Sequence, residues 1–326
     1  MSNAQPADTL PRALLIAGPT ASGKSALALA LAERFGGVVI NADSMQVYRE
    51  LHVLTARPST AEEARAPHAL YGMRAAAEAG TVASWREAAL VAMADARAAG
   101  QVPILCGGTG MYFASLTEGL ATIPPVLSSV REEARARLAM EGPAALHAAL
   151  AALDPETAAT LRPSDSQRIA RAYEVVRGTG QGLRAWLRAG GTGAAPWRFA
   201  AILLDPPRDT LRAAIATRWQ GMLSAGAMEE ATALGALALD LALPAMRAHG
   251  VPELLAHGQG RMTLEAASAR AILNTGQYTK RQATWFRHHA LAEAPRMWRY
   301  ASRYAHETQE SESLYEYCAA FLENPR

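Results

Sequence analysis

Eight consecutive residues, Gly18-Pro19-Thr20-Ala21-Ser22-Gly23-Lys24-Ser25, set two glycines, one ammonium and one hydroxyl in the spacing of a Walker A phosphate loop. They follow the apolar run Ala13-Leu-Leu-Ile-Ala17 and precede the helical pattern Ala26-Leu-Ala-Leu-Ala-Leu-Ala32, the strand–loop–helix setting that such a loop requires. Backbone N–H groups of this arrangement point at an anion at the positive end of the next helix. Lys24 adds a point charge, and Ser25 is placed to ligate Mg²⁺. Of 32 basic residues only Lys24 and Lys280 are lysine. In a chain that otherwise uses arginine, a lysine here marks a site for a compact ammonium. The loop alone leaves open whether the anion belongs to ATP, GTP or another diphosphate.

Two further polar turns follow apolar runs. Val38-Val-Ile-Asn-Ala42 leads into Asp43-Ser44-Met45-Gln46, with Tyr48 and Arg49 close behind. Asp43 can order Mg²⁺, act as a general base at the mouth of the phosphate site, or cap a helix. Val102-Pro-Ile-Leu-Cys106 leads into Gly107-Gly108-Thr109-Gly110-Met-Tyr112, whose amides and hydroxyl offer a second anion contact or simply make a turn. All three turns fall at the carboxyl ends of strands, the edge on which open α/β sheets hold their ligands.

Arginines supply the remaining charge. Arg168 and Arg171, in Asp165-Ser-Gln-Arg-Ile-Ala-Arg-Ala-Tyr-Glu174, share a helix face and can clamp phosphates or form a solvated face with Glu174. Arg218, in Ile215-Ala-Thr-Arg-Trp219, is similar and means little by itself. From 277 to 304, six Lys/Arg stand against one acid, interleaved with Tyr278, Trp285, Phe286, Trp298, Tyr300 and Tyr304. This mixture suits a nucleic-acid backbone and unstacked bases; the same spacing also builds an amphipathic helix with aromatics in the core. Five Glu between 307 and 323 offset the charge, and that tail is expected away from any nucleic acid.

These groups need a scaffold. Strand-like and helical runs alternate from 13 to 117, which argues for an α/β fold of the P-loop NTPase kind, a parallel sheet flanked by helices. After Ile123-Pro-Pro125, residues 126–188 carry helical spacing and no strand, and this insertion closes at Gly190-Gly-Thr-Gly193. Phe199-Ala-Ala-Ile-Leu-Leu204 returns to the sheet, helices follow from 208 to 290, and Met297-Trp-Arg-Tyr300 reads as a last strand. The expected layout is 1–122 as the first part of the core, 123–197 as a helical insertion, and 198–326 as the second part with a basic, aromatic helix. No apolar run nears the roughly 20 residues of a membrane span. The N-terminus, MSNAQPADTLPR, lacks a secretory profile, so a cytoplasmic protein is expected, and we expect a monomer. Cys106 and Cys318 are too few for a disulfide framework or a zinc site.

In order, GPTASGKS at 18–25, DSMQVYR at 43–49, GGTGMY at 107–112, DSQRIARAYEV at 165–175 and KRQATWFR at 280–287 resemble the signatures of the bacterial tRNA dimethylallyltransferases, or tRNA isopentenyltransferases. The resemblance implies transfer of a dimethylallyl group from dimethylallyl diphosphate to N6 of the adenosine just 3′ of the anticodon, with the tRNA anticodon stem-loop as partner and Mg²⁺ as cofactor. It maps tRNA contacts onto Asp43, Ser44, Met45, Gln46, Thr109 and Arg131, and onto Gln167, Arg168, Ile169, Ala170 and Arg171. Lys280, Arg281 and Arg287 are expected to support them. In that reaction Asp43 is the expected base. Lys24, Thr109, Arg218, the amides of the loop 18–25 and Mg²⁺ are expected to stabilise charge on the departing diphosphate. Two stretches depart from the family pattern: Leu54-Thr55-Ala56-Arg57-Pro58 stands for the usual G-T-A-K-P, and Gly250-Val251 for a frequent G-Y. Rival readings are a small P-loop kinase with Arg168 and Arg171 as lid arginines, a non-catalytic tRNA-binding protein with a nucleotide switch, and prenyl transfer to free adenine nucleotide.

Overall fold

Leu14 and Ile16 pack on one face of a central strand and Ala13, Leu15 and Ala17 on the other, in a computed structural model that describes residues 10–305 and 309–323. Side chains alternate along a strand, so an unbroken apolar run serves two cores at once. That strand is β1 (Arg12–Ala17). With β2 (Gly37–Asn41), β3 (His68–Ala69), β4 (Val102–Gly107), β5 (Arg198–Leu204) and β6 (Met297–Tyr300) it forms a sheet of order β3-β2-β4-β1-β5-β6, parallel throughout. The expected α/β class holds, and five strands lie within about a residue of where the apolar runs put them. The two-residue β3 carries no run long enough to read.

On the face of Leu14 and Ile16 lie α1 (Lys24–Phe35) and, from the chain's far end, α13 (Gln309–Glu323), through Leu27, Leu31, Leu314 and Tyr315. The opposite face takes α3 (Val82–Ala98), which buries Trp85, Ala89, Met93 and Ala96 at helical spacing, and α4 (Gly110–Thr117). It also takes α9 (Arg208–Ser224), α10 (Ala227–Ala236), α11 (Val251–Gly258) and α12 (Leu264–His288). A short α2 (Thr60–Glu63) joins β2 to β3.

The chain forms two compact units, one of Met1–Thr117 with Ala195–Arg326 and one of Glu118–Ala194. The insertion thus begins and ends a few residues earlier than the composition suggests. Leu120 and Thr192 hydrogen-bond each other and belong to the insertion, whereas the Ala195 N–H donates to Leu116 O in the core unit at 2.7 Å. The insertion is helical as expected: α5 (Ser128–Leu153), α6 (Pro155–Ala158), α7 (Ser166–Thr179) and α8 (Leu183–Arg188). Its own core joins Leu146, Leu150, Ile169, Tyr173 and Val176. Gly142, with φ 81°, and Pro143 kink α5. Among the described residues, no helix is long and apolar enough to cross a membrane.

Candidate active site

Gly23 enters α1 in the left-handed conformation, at φ 91°, and neither a side-chain cap nor an acidic residue occupies the helix start. The first-turn N–H groups are therefore open to an anion. Burial holds the Lys24 ammonium below its ordinary pKa, while Asp43 and Cys106 pull it up and Arg218 presses it down. The ammonium makes one long bond, to Pro19 O at 3.5 Å. Asp43 is a counter-charge at a distance, and no ion pair holds this buried cation among the described residues, so a bound anion would stabilise it further. Ser22 Oγ is also buried without a partner among the described residues.

The loop's outer side is held by the segment that follows β6. The Tyr304 N–H donates to Ser22 O at 3.0 Å, and Arg303 Nε donates to Ala21 O at 3.0 Å. A Cβ on Gly23 would run into the Tyr304 carbonyl. Its inner side is held by α12, where Gln282 Oε1 accepts the Thr20 N–H at 2.9 Å and Gln282 Nε2 donates to Gly108 O at 3.0 Å. The Thr20 amide is therefore spent on Gln282 and does not face an anion, as the loop pattern had suggested. Burial pushes the Cys106 thiol up to about 11, and the Lys24 ammonium and the nearby Ser25 hydroxyl oppose that. Among the described residues no cluster of three or more His, Cys, Asp or Glu forms a metal site. Mg²⁺ held mainly by substrate phosphates needs no such cluster, so Ser25 remains compatible with it.

Asn41, buried at the end of β2, shapes the Asp43 turn. Its Oδ1 accepts the Asp43 N–H at 2.8 Å and its Nδ2 donates to Asp43 O at 3.0 Å. Asp43 Oδ1 accepts the Met45 N–H at 2.9 Å, which leaves the other carboxylate oxygen without a hydrogen-bond partner among the described residues. The Ser44 N–H donates to Thr109 Oγ1 at 2.9 Å, and that hydroxyl donates to Ser44 Oγ at 3.2 Å. Thr109 thus ties the second loop to the Asp43 turn. Packing accounts for the neighbouring glycines, since a Cβ would strike the Ala42 carbonyl from Gly107, the Gln282 amide from Gly108 and the Trp285 ring from Gly110. Beneath them Trp85 stacks on Tyr112 at 4.1 Å and donates from Nε1 to Asn41 O at 2.8 Å. Gln46 Nε2 donates to Thr55 O and Ala56 O, each at 2.9 Å.

A cavity opens beside these loops. Thr20, Asp43, Arg218, His249 and Tyr278 contribute polar groups to its lining, and Leu54, Ile215, Trp219, Met222 and Ile272 contribute apolar ones. Arg218 donates to Thr55 O at 3.2 Å; burial lowers its pKa and Asp43 opposes that. Asp43 also acts on Lys24, His249 and Tyr278, so its charge lies at the centre of the group. Burial pushes the Tyr278 phenol up, and its ring meets His249 at 5.2 Å. Sequence reasoning missed Asn41, His249 and Gln282; an isolated polar residue closing an apolar strand was the only signal, and it served Asn41 alone.

The two departures from the expected motifs have structural accounts. Leu54 lines the cavity, and Gly250 stays glycine because its φ is 99° and a Cβ would lie 2.8 Å from both Leu54 and Trp219. Arg57 folds over Gly72 and donates to Arg49 O at 3.3 Å, and Val251 is wholly buried.

Lys280, Arg281 and Arg287 are exposed on α12, whose other side buries Thr279, Gln282 and Phe286. Phe286, Tyr300 and Tyr304 are core residues, so these three aromatics pack the sheet and do not stack on bases. In the insertion, Arg131, Gln167, Arg168 and Arg171 are exposed. Arg168 pairs with Asp165 and Arg171 with Glu174, each at 3.5 Å. Ile169 and Ala170 face this unit's core, which corrects the expectation that their side chains meet tRNA. Of the acidic tail, Glu312 pairs with Arg34 at 3.5 Å. Glu307 and the N-terminal residues 1–9 lie outside the described residues.

A phosphate loop on a parallel sheet, opening on a cavity shared by charged and apolar groups, defines a P-loop α/β protein. Within that class the chain belongs to the IPP transferase family, whose profile matches residues 46–289. It is 56% identical over 309 residues to the tRNA dimethylallyltransferase of Acidiphilium cryptum, covering 95% of this chain and 94% of that one. With the tRNA dimethylallyltransferase of Gluconobacter oxydans it shares 55% identity over 320 residues, 98% and 96% of the two chains. Among solved structures, the full-length tRNA isopentenylpyrophosphate transferase of Bacillus halodurans matches with a TM-score of 0.67 at 27% identity, over 97% of this chain and 98% of that one. A eukaryotic dimethylallyltransferase acting on tRNA matches with a TM-score of 0.72 at 25% identity, over 85% and 70%.

Proposed function

We propose that this protein transfers a dimethylallyl group from dimethylallyl diphosphate to N6 of the adenosine just 3′ of the anticodon of tRNA, with release of diphosphate. The observation that carries this reading is the cavity lining, in which Asp43 and Arg218 share one space with Leu54, Ile215, Trp219 and Met222 beside a helix start that has neither a side-chain cap nor an acidic residue. A diphosphate with a short apolar tail fits both parts of such a lining, whereas a nucleobase would leave its polar edge unpaired. Relatives named tRNA dimethylallyltransferase over nearly the whole chain support it.

The reaction breaks the C1–O bond of the donor, whose electron pair leaves with the diphosphate, and forms a bond from C1 to adenine N6. Lys24, Arg218 and the first-turn amides of α1 meet the charge that grows on the leaving oxygens. The adenine lone pair is delocalised into the ring, so N6 must lose its proton as it attacks. The unengaged oxygen of Asp43 takes that proton, and Thr109 holds the turn that aims it. Mg²⁺ would be held by Ser25 together with the diphosphate and would neutralise leaving-group charge. The target base must leave its stack to reach Asp43. Arg131, Gln167, Arg168, Arg171, Lys280, Arg281 and Arg287 are the exposed groups for the anticodon stem-loop, and the setting is the cytoplasm.

Thermal protection tests the reading. Dimethylallyl thiolodiphosphate, a slow-leaving analogue, should stabilise the protein in Mg²⁺ by about 2.7 kcal/mol at a hundredfold excess over its Kd. ATP at matched concentration should protect less. Stronger protection by ATP, with phosphoryl transfer to a small acceptor, would establish a kinase instead.

A further inference from the structure

Ile215 of α9 and Ile272 of α12 each line two cavities. One is the cavity of Asp43 and Arg218; the other lies between the same two helices, bounded by Arg208, Arg212, Ala269, Leu273, Gly276 and Gln277. No other described residue is common to the two linings. Ile215 sits one turn before Arg218 and is buried; Ile272 sits one turn before Thr275 and is half-buried. One turn is about 5.4 Å, comparable to the reach of a five-carbon chain beyond its diphosphate. Both residues are β-branched, so each holds a single χ1 in its helix and makes a stiff partition.

We infer that Ile215 and Ile272 form the wall that limits the donor to one isoprene unit, and that the space behind them accepts a second unit once the wall is lowered. This rests on the prenyl-transfer reading. The chemistry is unchanged for a longer donor: the C1–O bond breaks, diphosphate leaves with the electron pair, N6 bonds to C1, and Asp43 takes the N6 proton. Each Ile→Ala removes three carbons, so the double variant frees room for six against the five that a geranyl chain adds. Gly276 gives a control, since a Cβ placed there meets nothing within 4 Å and a larger side chain would fill the second cavity.

The experiment measures transfer to tRNA from dimethylallyl diphosphate and geranyl diphosphate, separately, by the wild type, Ile272→Ala, Ile215→Ala/Ile272→Ala, and that double with Gly276→Leu. The wild type should use the five-carbon donor and reject the ten-carbon one. The double variant should raise the ten-to-five-carbon ratio by at least about tenfold, the low end of what one methylene is worth in an apolar pocket. Gly276→Leu should return it toward the wild-type value. Ile272→Ala, the milder change, should give an intermediate rise and decides the matter if the double does not fold. Variants that still transfer the five-carbon group at an unchanged ratio would overturn the wall. A wild type that transfers neither donor would overturn the prenyl-transfer reading itself, and the wall with it.

Discussion

The Thr20 N–H donates to Gln282 Oε1 at 2.9 Å, across 262 residues of sequence, and the same amide side chain donates to Gly108 O. One buried glutamine therefore spans the phosphate loop and the second loop. Gln282→Ala would leave a buried carbonyl unpaired, at about 1–3 kcal/mol, and a half-buried N–H at less. The expected outcome is a lower Tm and a raised KM for the donor. Gln282→Glu should rescue poorly, because a carboxylate can accept from Thr20 but cannot donate to Gly108. Normal donor KM in a folded Gln282→Ala protein would show that the bridge is dispensable.

Asp43→Asn keeps the acceptor that binds the Met45 N–H and removes only the basic oxygen. Donor binding should stay near wild type while kcat falls by about 10²–10⁴, the range for loss of a positioned base. Retained turnover would reduce Asp43 to a residue that shapes its turn.

The arginines of α12 should separate. Both Arg281 and Arg287 are exposed, but the Arg281 guanidinium lies 5.5 Å over the ring of Tyr278, which lines the cavity. Lys280→Ala/Arg287→Ala should weaken tRNA binding and flatten its salt dependence by roughly one to two units of slope, with donor KM unchanged. Arg281→Ala should disturb donor KM as well. A salt slope that does not move would place Lys280 and Arg287 away from the RNA.

His249 gives a pH dependence of known sign. Burial lowers its pKa below the ordinary 6.5, although Glu253 and Asp43 favour the charged ring and Arg281 opposes it. The folded protein thus binds this proton less readily than the unfolded chain. Above that range the group is neutral in both states and has no effect; as pH falls below 6.5 the unfolded chain is protonated first, and stability declines. His249→Gln should remove that part of the decline in urea titrations between pH 7 and 5. An identical decline in both proteins would assign it elsewhere.

What could be read in advance was local. Three polar turns behind three apolar runs were visible because alternation along a strand and glycine spacing are short-range patterns, and all three turns do lie on the carboxyl edge of the sheet. Gln282 was invisible as a site residue because its role depends on a helix placed against loops far away in sequence. His249 looked like any lone histidine. The family resemblance maps tRNA contacts onto Ile169 and Ala170 along with Arg168 and Arg171, but a helix turns 100° per residue and sends the two apolar side chains to the buried face. The twofold use of Ile215 and Ile272 likewise depends on two helices meeting.

Transfer itself is the most direct measurement. Purified protein, Mg²⁺, dimethylallyl diphosphate labelled in the allyl group, and tRNA should yield label in the RNA. After digestion to nucleosides, the label should be found as adenosine alkylated at N6, from the position 3′ to the anticodon, and Asp43→Asn should reduce it by the factor given above. Label that never enters tRNA, or that enters free adenine nucleotide in preference to tRNA, would contradict the account.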